Sequence, residues 1–456
     1  MKSYVKDMTV GKPAGLLLWF MLPMVVGNVF QQLYNMVDSM IVGKYVGADA
    51  LAAVGATGSL NFLIFSLCGG MANGIGIIIS QYFGAGNGEG VKKAIANAVY
   101  IMIVSAALMG IIGFVFAKPL LAFLNTPENI LNDSALYMQI MCAGVFAVAL
   151  YNCIAAILRA VGDSKTPLYF LIVASILNIV LDLFFVRVVN MGVAGAGIAT
   201  IISQLLSGVG SLWFAIWKNP YFKIGREHMK AEWDIIWQCI RMGIPLAFQT
   251  SLIAISCVVL QSVVNTFGSV VVAAFTATSR IEQLVQQPYN SLGMAMSTYT
   301  GQNIGAGKID RVKQGYRKGW LIMAAFSLVM MPMAQFGGEF IMKLFVDDAE
   351  VIALGSQALK ITSWFYLFLG SIYVTRGMLN GAGDAVFSFI NGLVEMAGRI
   401  CFAKPLTMIP AIGVWGVWLA TALTWFITGI VSVIRYFQGK WKFKPKKADH
   451  IKNQDT

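Results

Sequence analysis

Two stretches of this chain place oxygen-bearing side chains where a hydrocarbon environment would make them costly. The first is Gln31-Gln32-Leu33-Tyr34-Asn35-Met36-Val37-Asp38, a polar island inside the apolar segment Leu16 to Val42. The second is Asn178 and Asp182, flanked by Ile176, Leu177, Ile179, Val180 and Leu181. A carboxylate at the centre of a bilayer costs about 3 kcal/mol or more unless it faces a cavity or a partner, so each Asp is a functional candidate by default. On a helix Tyr34, Asn35 and Asp38 fall at i, i+1 and i+4, on neighbouring parts of one face, and Asn178 and Asp182 stack one turn apart. Thr200, in Gly195-Ala196-Gly197-Ile198-Ala199-Thr200, adds a hydroxyl. Two carboxylates, an amide and a hydroxyl are hard oxygen donors of the kind a small cation prefers, with no sulfur or imidazole among them. Two carboxylates close together in a low dielectric cannot both stay ionised cheaply, so the pair would hold either a proton or a cation such as Na⁺. Each residue also has a plainer reading. Asp38, with Gly43-Lys44 close behind it, could sit hydrated near a membrane surface, and the same holds, less strongly, for Asp182. Thr200 alone would be an ordinary interhelical hydrogen-bonding residue.

The elements that must position these groups are membrane-spanning helices. The chain has 456 residues, 58% hydrophobic and only 12% charged, with a mean hydropathy of +0.72, which excludes an ordinary soluble domain. Runs near the length needed to cross the hydrocarbon recur throughout. Twelve are expected, at about 16–42, 51–79, 94–117, 135–159, 166–187, 192–217, 240–266, 271–298, 318–342, 357–380, 385–406 and 413–437. No cleavable signal pattern precedes the first span, so Met1 to Pro13 is expected to remain as a basic tail. The net charge of +12 suggests nucleic acid until its placement is considered. Lys44, Lys118, Arg187, Lys343, Lys360 and Lys404 fall beside odd-numbered loops, Arg280 and Arg399 fall within spans, and the other Lys and Arg gather in the tails and even-numbered loops. That bias places both termini in the cytoplasm, with the protein multi-pass in the cell membrane. The tail Lys440-Trp441-Lys442-Phe443-Lys444-Pro445-Lys446-Lys447 then meets anionic lipid headgroups. Cys68, Cys142, Cys153, Cys239, Cys257 and Cys401 show no CxxC spacing and read as buried thiols, not disulfides or metal ligands. His228 and His450, the two histidines, have no clustered partner, which argues against a His-based metal site or relay.

The chain is a doubled unit. A shift of 221 positions aligns Gly47 with Gly268, Ala56-Thr57 with Ala277-Thr278, Gln81 with Gln302, and Gly84-Ala85-Gly86 with Gly305-Ala306-Gly307. The same shift aligns Gly162-Asp163 with Gly383-Asp384, Gly192-Val193 with Gly413-Val414, and Ala199-Thr200 with Ala420-Thr421. Six spans per unit is an even number, so both units enter the membrane in the same sense, as parallel repeats of the kind found in secondary transporters. The expected organisation is an N-terminal lobe 1–217, a cytoplasmic connector 218–237 that is charged and contains Pro220 and Gly225, a C-terminal lobe 238–437, and a basic tail 438–456. The shift sets Asp38 against Val259, Asn178 against Arg399 and Asp182 against Ala403, so the acidic chemistry stays in the first half.

The remaining motifs have structural readings beside functional ones. Gly69-Gly70, Gly74 and Gly76 thin the second helix for close helix packing. Gly84-Ala85-Gly86-Asn87-Gly88 has no GK[ST] after it and no strand before it, so it reads as a turn between spans, not a phosphate loop. Glu282 either binds a cationic substrate or joins an interhelical ion pair; Arg280, two residues earlier, does not face it. Glu395 and Arg399, at i and i+4, read as a local salt bridge. Met and Phe, 24 and 29 in number, suit either core and lipid contacts or a promiscuous cavity.

Taken in order, the Pro23 helix ending in Val37-Asp38 with Gly43 after it, the Gln81…Gly84-Ala85-Gly86 turn and its copy, Arg159…Gly162-Asp163, and Asn178…Asp182 followed by Thr200 resemble the multidrug and toxic compound extrusion (MATE) family. The resemblance extends over all twelve spans. It implies an all-α, V-shaped transporter of two six-helix lobes that expels organic cations or drugs in exchange for Na⁺ or H⁺; apart from the resemblance, no other cofactor is expected and the chain is expected to be monomeric. By motif, the cation site would use Asp38, Asn178, Asp182 and Thr200, with Tyr34 and Asn152 nearby. Asn35 and Glu282 remain candidates for the cavity or substrate wall. A flippase for a lipid-linked precursor is the competing expectation, but it would favour basic residues in the central cavity for phosphate. A membrane enzyme would need gathered nucleophiles, metal ligands or acid/base groups, and no such motif is present.

Overall fold

The computed structural model describes residues 5–124 and 126–442. Most of the basic tail and His450 lie outside the described residues. The first half comprises α1 (Pro13–Tyr45), α2 (Ala48–Gly84), α3 (Gly88–Phe123), α4 (Glu128–Ala143), α5 (Val145–Ala160), α6 (Lys165–Asp182) and α7 (Gly192–Lys218), with a π-helical turn Leu183–Val188 extending α6. The second half comprises α8 (Trp233–Val264), α9 (Ser269–Gly305), α10 (Ile309–Lys343), α11 (Ala349–Ser363), α12 (Tyr366–Gly381), α13 (Ala385–Met408) and α14 (Gly416–Phe437). α4 and α5 form one span bent by 47° at Gly144, and α11 and α12 form its counterpart. Among the described residues, nine single helices are long and apolar enough to cross a membrane, and the α4–α5 pair makes a tenth. α9 and the α11–α12 pair are too polar to qualify alone, yet they stand where α2 and α4–α5 stand in the other repeat.

The repeat is as regular in space as in sequence. Adding 221 carries the bounds of α2 onto those of α9, and those of α5 onto α12. The backbone glycines with positive φ are paired by the same offset: Gly86 at 72° with Gly307 at 71°, and Gly162 at 90° with Gly383 at 95°. These turns need φ values that side chains with a Cβ rarely adopt, which is why glycine recurs at those positions in both halves. Caps begin individual helices: the Asn87 side chain accepts from the Gly90 N–H at 2.7 Å, and Asp348 from the N–H groups of Glu350 and Val351.

Packing does not simply follow the midpoint of the chain. Leu16, Leu17, Phe20, Met21 and Met24, from the first half of α1, belong to the apolar core of the second lobe. Ile235, Ile236, Cys239, Met242 and Leu246, from the first half of α8, belong to the core of the first lobe. The repeat-related helices α1 and α8 thus cross-clasp the lobes. α2 and α8 approach so closely that a Cβ on Gly70 would strike the Ala247 backbone and one on Gly74 the Gly243 backbone, the close approach that small residues permit between membrane helices. The outer surface is apolar, with Phe336 92% and Phe123 82% exposed, as expected where lipid replaces water. Cys68, Cys142, Cys153 and Cys239 are buried, whereas Cys257 and Cys401 are exposed, contrary to a uniformly buried set; all six are free thiols.

The connector is tied to α3. Asn97 donates to the Lys230 carbonyl at 3.3 Å and accepts from the Glu232 N–H at 3.0 Å, and the Tyr100 hydroxyl donates to the Met229 carbonyl at 2.6 Å. His228 has partners that sequence spacing did not reveal. Its Nε2 lies 2.6 Å from Glu89, and its Nδ1 accepts from the Gly225 N–H at 3.0 Å and lies 3.1 Å from Glu227.

Candidate cation site in the first lobe

α6 positions two of the expected ligands by helical periodicity alone. Leu171, Ala174, Ser175, Asn178 and Asp182 form a single buried stripe along it. Asp182 is fully buried at the last α-helical residue, where the backbone widens into the π turn. Such turns re-aim side chains and recur at functional sites. Asp38 lies in α1, seven residues before its end at Tyr45, about 10 Å along the axis at 1.5 Å per residue. Asp38 is therefore not a helix-terminal group, and the π turn Leu183–Val188 carries the helix on past Asp182. α1 reaches α6 by close packing at Gly27, where a Cβ would already lie 3.3 Å from Leu168 and Leu171.

Asp38 and Asp182 are neighbours across α1 and α6, whose Val37 and Leu183 pack in one apolar cluster. Asn178 Nδ2 donates to Thr200 Oγ1 at 3.4 Å, a long contact. That leaves Asp38 Oδ1, both oxygens of Asp182 and Asn178 Oδ1 buried with no hydrogen-bond donor among the described residues. Buried polar atoms in folded proteins are nearly always satisfied, and each orphan costs about 1–3 kcal/mol. Orphaned acceptors on three residues of one small site suit a bound positive charge. Next to them lies a cavity of about 10 Å³, room for one water-sized particle, lined by Tyr34, Ser175, Asn178, Thr200, Ser203 and Gln204 among others. Tyr34 lines this cavity, and Tyr137 packs in the cluster with Val37, Ile179 and Leu183 beside the two carboxylates. No group of three or more His, Cys, Asp or Glu suited to a metal occurs among the described residues; the site is an oxygen site of two carboxylates with neutral donors.

Asp38, Asn178, Asp182, Thr200 and Tyr34 are thus brought together, but three other candidates stand apart. Asn35 is exposed while Tyr34 and Asp38 turn inward, because one residue along a helix rotates the side chain by 100°. Asn152 donates to its own helix, at the Val148 carbonyl, 2.9 Å away. Glu282 is buried in the second lobe, with Oε1 unpartnered and no ion pair among the described residues, and Thr362 and Tyr366 are its neighbours. Ser175, Gln204 and Tyr137 were not singled out in the sequence. Ser175 and Gln204 could have been, since they lie three and four residues from Asn178 and Thr200 on the same helical faces.

The second lobe buries a charge network instead. Glu395 accepts from Arg399 at 3.0 Å, as the i, i+4 spacing implied, and also from Arg376 at 3.2 Å. Arg376, in α12, corrects the expectation that only Arg280 and Arg399 lie within spans; Arg280 itself is exposed. Asn391 accepts two bonds from Arg376, and Gln249, with its amide oxygen turned inward, accepts from Arg376 Nη1 at 2.6 Å. Arg399 donates to Ser256 at 2.8 Å.

The MatE family model matches residues 23–184 and 245–403, one segment in each repeat. Similar proteins include the probable multidrug resistance proteins YpnP and YoeA of Bacillus subtilis. YpnP is 31% identical over 97% of this chain and 98% of its own length, and YoeA 30% identical over 93% of each. A protein of Shewanella oneidensis named FAD transporter is 24% identical over 95% of each chain. Among solved structures, a MOP superfamily transporter from Pyrococcus furiosus superposes with a TM-score of 0.90 at 23% identity, covering 97% of this chain and 99% of that one.

Proposed function

Since this chain belongs to the MATE family of multidrug efflux transporters, and is accordingly a multi-pass membrane protein and not an enzyme, we propose that it is a secondary antiporter. It exports organic cations in exchange for Na⁺ or H⁺ by alternating access, with both termini in the cytoplasm. The observation that carries this reading is the set of donorless buried oxygens on Asp38, Asn178 and Asp182. An incoming Na⁺ or proton satisfies them, and Thr200 and Tyr34 complete the surroundings. When the ion leaves, the two facing carboxylates are uncompensated, so ion occupancy biases how α1 sits against α6. Two conformations that differ in ion affinity are the requirement for coupling an ion gradient to substrate movement.

The relative named FAD transporter widens the range of substrates to weigh. The guanidinium groups of Arg376 and Arg399 are largely taken up by Glu395, Asn391, Gln249 and Ser256, which favours a structural role for them over an anionic substrate site. The test is export of a fluorescent organic cation from proteoliposomes under an imposed Na⁺ gradient or an imposed pH gradient, with Asp38→Asn beside the parent. Export under one gradient, lost in the variant, identifies the coupling ion and sustains the proposal. If neither gradient moves the cation, the antiport reading falls and the lipid-linked precursor becomes the substrate to test. If the variant exports normally, Asp38 is not the coupling residue.

A further inference from the structure

The lobes are joined by one contact made twice. Gln81, near the end of α2, donates from Nε2 to the Gly381 carbonyl at the end of α12, 2.9 Å away. Gln302, near the end of α9, donates from Nε2 to the Ala160 carbonyl at the end of α5, also at 2.9 Å. Both donor and acceptor are repeat mates, so the two bonds are related by the pseudo-twofold axis. Between them the backbones touch, since a Cβ on Gly84 would strike the Gln302 backbone and one on Gly305 the Gln81 backbone. All of this lies on the face that carries the N-terminal segment and the connector.

One strand of chain breaks the symmetry. Residues 6–11 run between the lobes ahead of α1. The Lys6 N–H donates to the Val161 carbonyl of the first lobe at 3.2 Å. The Met8 N–H donates to Gln302 Oε1 at 2.8 Å, and Asn303 donates to the Met8 carbonyl at 3.2 Å. Lys308 reaches the Thr9 carbonyl and hydroxyl at 3.1 Å, and Arg311 donates to the Gly11 carbonyl at 3.0 Å. Met8 and Gln302 are both fully buried. The Gln302 amide is therefore used at both ends, its nitrogen by the first lobe and its oxygen by the strap. Neutral amide bonds of this kind are readily exchanged for water, so they can hold a closure that must also open.

We infer that Gln81 and Gln302, with the strap of residues 6–11 laid across them, form the latch that keeps the lobes closed on this face, and that Gln302 couples the strap to the lobes. They are positioning residues, acting on the lobe interface and not on the ion or substrate. The inference rests on the alternating-access reading, but its readout is access to a buried thiol, so failure of ion coupling and failure of the latch are distinguishable.

Ser80, 1% exposed and packed across the interface against Gly301, supplies the reporter position. In a background with the six native cysteines replaced, Ser80→Cys is labelled with a membrane-impermeant maleimide presented to the latch face in oriented proteoliposomes. The Gln81→Ala/Gln302→Ala pair is expected to raise the labelling rate at least tenfold. Gln302→Glu keeps an acceptor for the Met8 N–H but loses the donor to Ala160, and is expected to raise it as well. Met8→Pro, which removes the strap's N–H donor together with the buried Met8 side chain, is expected to raise it too. Melting temperature and gel-filtration profile establish folding, and Gln302→Glu carries the test if the double variant does not fold. A labelling rate within twofold of the parent in a folded Gln302 variant overturns the inference.

Discussion

Replacing Asp182 by Asn tests the cation site through two quantities that a structural carboxylate and a coupling carboxylate move in opposite directions. Asp182 is fully buried, neighbours Asp38, and has no donor on either oxygen among the described residues. The substitution keeps shape and one coordinating oxygen but removes a unit of charge. Opposite charges about 4 Å apart at an effective dielectric near 20 attract by about 4 kcal/mol. With part of that retained by the amide oxygen, the bound cation should lose about 2–3 kcal/mol, or about 30–150-fold in affinity. Without the cation, the same change relieves repulsion between the two carboxylates and gives Asp38 a donor, so the ion-free protein should melt no lower than the parent. Thermal unfolding in detergent across a titration of the coupling ion reads both, because a ligand that binds only the folded state raises stability as RT ln(1 + [L]/Kd). The variant's curve should start at or above the parent's and respond only at correspondingly higher ion concentration. A melting temperature several degrees lower in the absence of the ion, with an unchanged ion response, would refute the reasoning and make Asp182 a structural residue.

Two further substitutions probe the scaffold. Glu395→Gln leaves Arg376 and Arg399 buried without their shared anion and should cost about 3–5 kcal/mol, seen as a large fall in melting temperature; an unchanged melting temperature would mean the network is solvated or dispensable. Gly74→Val places a branched side chain against the Gly243 backbone and should cost about 1–3 kcal/mol while prising α2 from α8. Spin labels at the exposed Val99 of α3 and Leu321 of α10 should then report a longer or broader inter-lobe distance, and an unaltered distance distribution would show that the contact can give locally.

Arg376 and Asn35 show where reading the chain by segments stopped working. Arg376 lies inside an expected span, but what makes a buried guanidinium tolerable is supplied by Gln249, Asn391 and Glu395 from α8 and α13, and nothing in the local sequence of α12 announces them. Asn35 groups with Tyr34 and Asp38 in sequence because adjacent helical positions share a broad face; which part of that face turns inward depends on where α6 packs. By contrast, Asn178 and Asp182 were legible because the i, i+4 stack needs only one helix to exist.

The sequence by itself determined an all-helical membrane chain, its doubling at an offset of 221, and the pair of intramembrane Asp residues in the first half, whereas α9 and the α11–α12 pair are less apolar than the expected twelve spans required. The reason is that a bilayer imposes its rule on each segment separately: a lipid-facing span must be apolar for about 20 residues and satisfy its own backbone. A repeat then shows as a repeated series of such segments with glycine at the same turns. The tertiary structure alone decided that the first halves of α1 and α8 pack into the opposite lobe, that Asp38 meets Asp182 across two helices, and that the N-terminal strap joins the two lobes through Gln302. Those are contacts between residues up to some three hundred positions apart, set by which helices lie side by side, and no local periodicity encodes them.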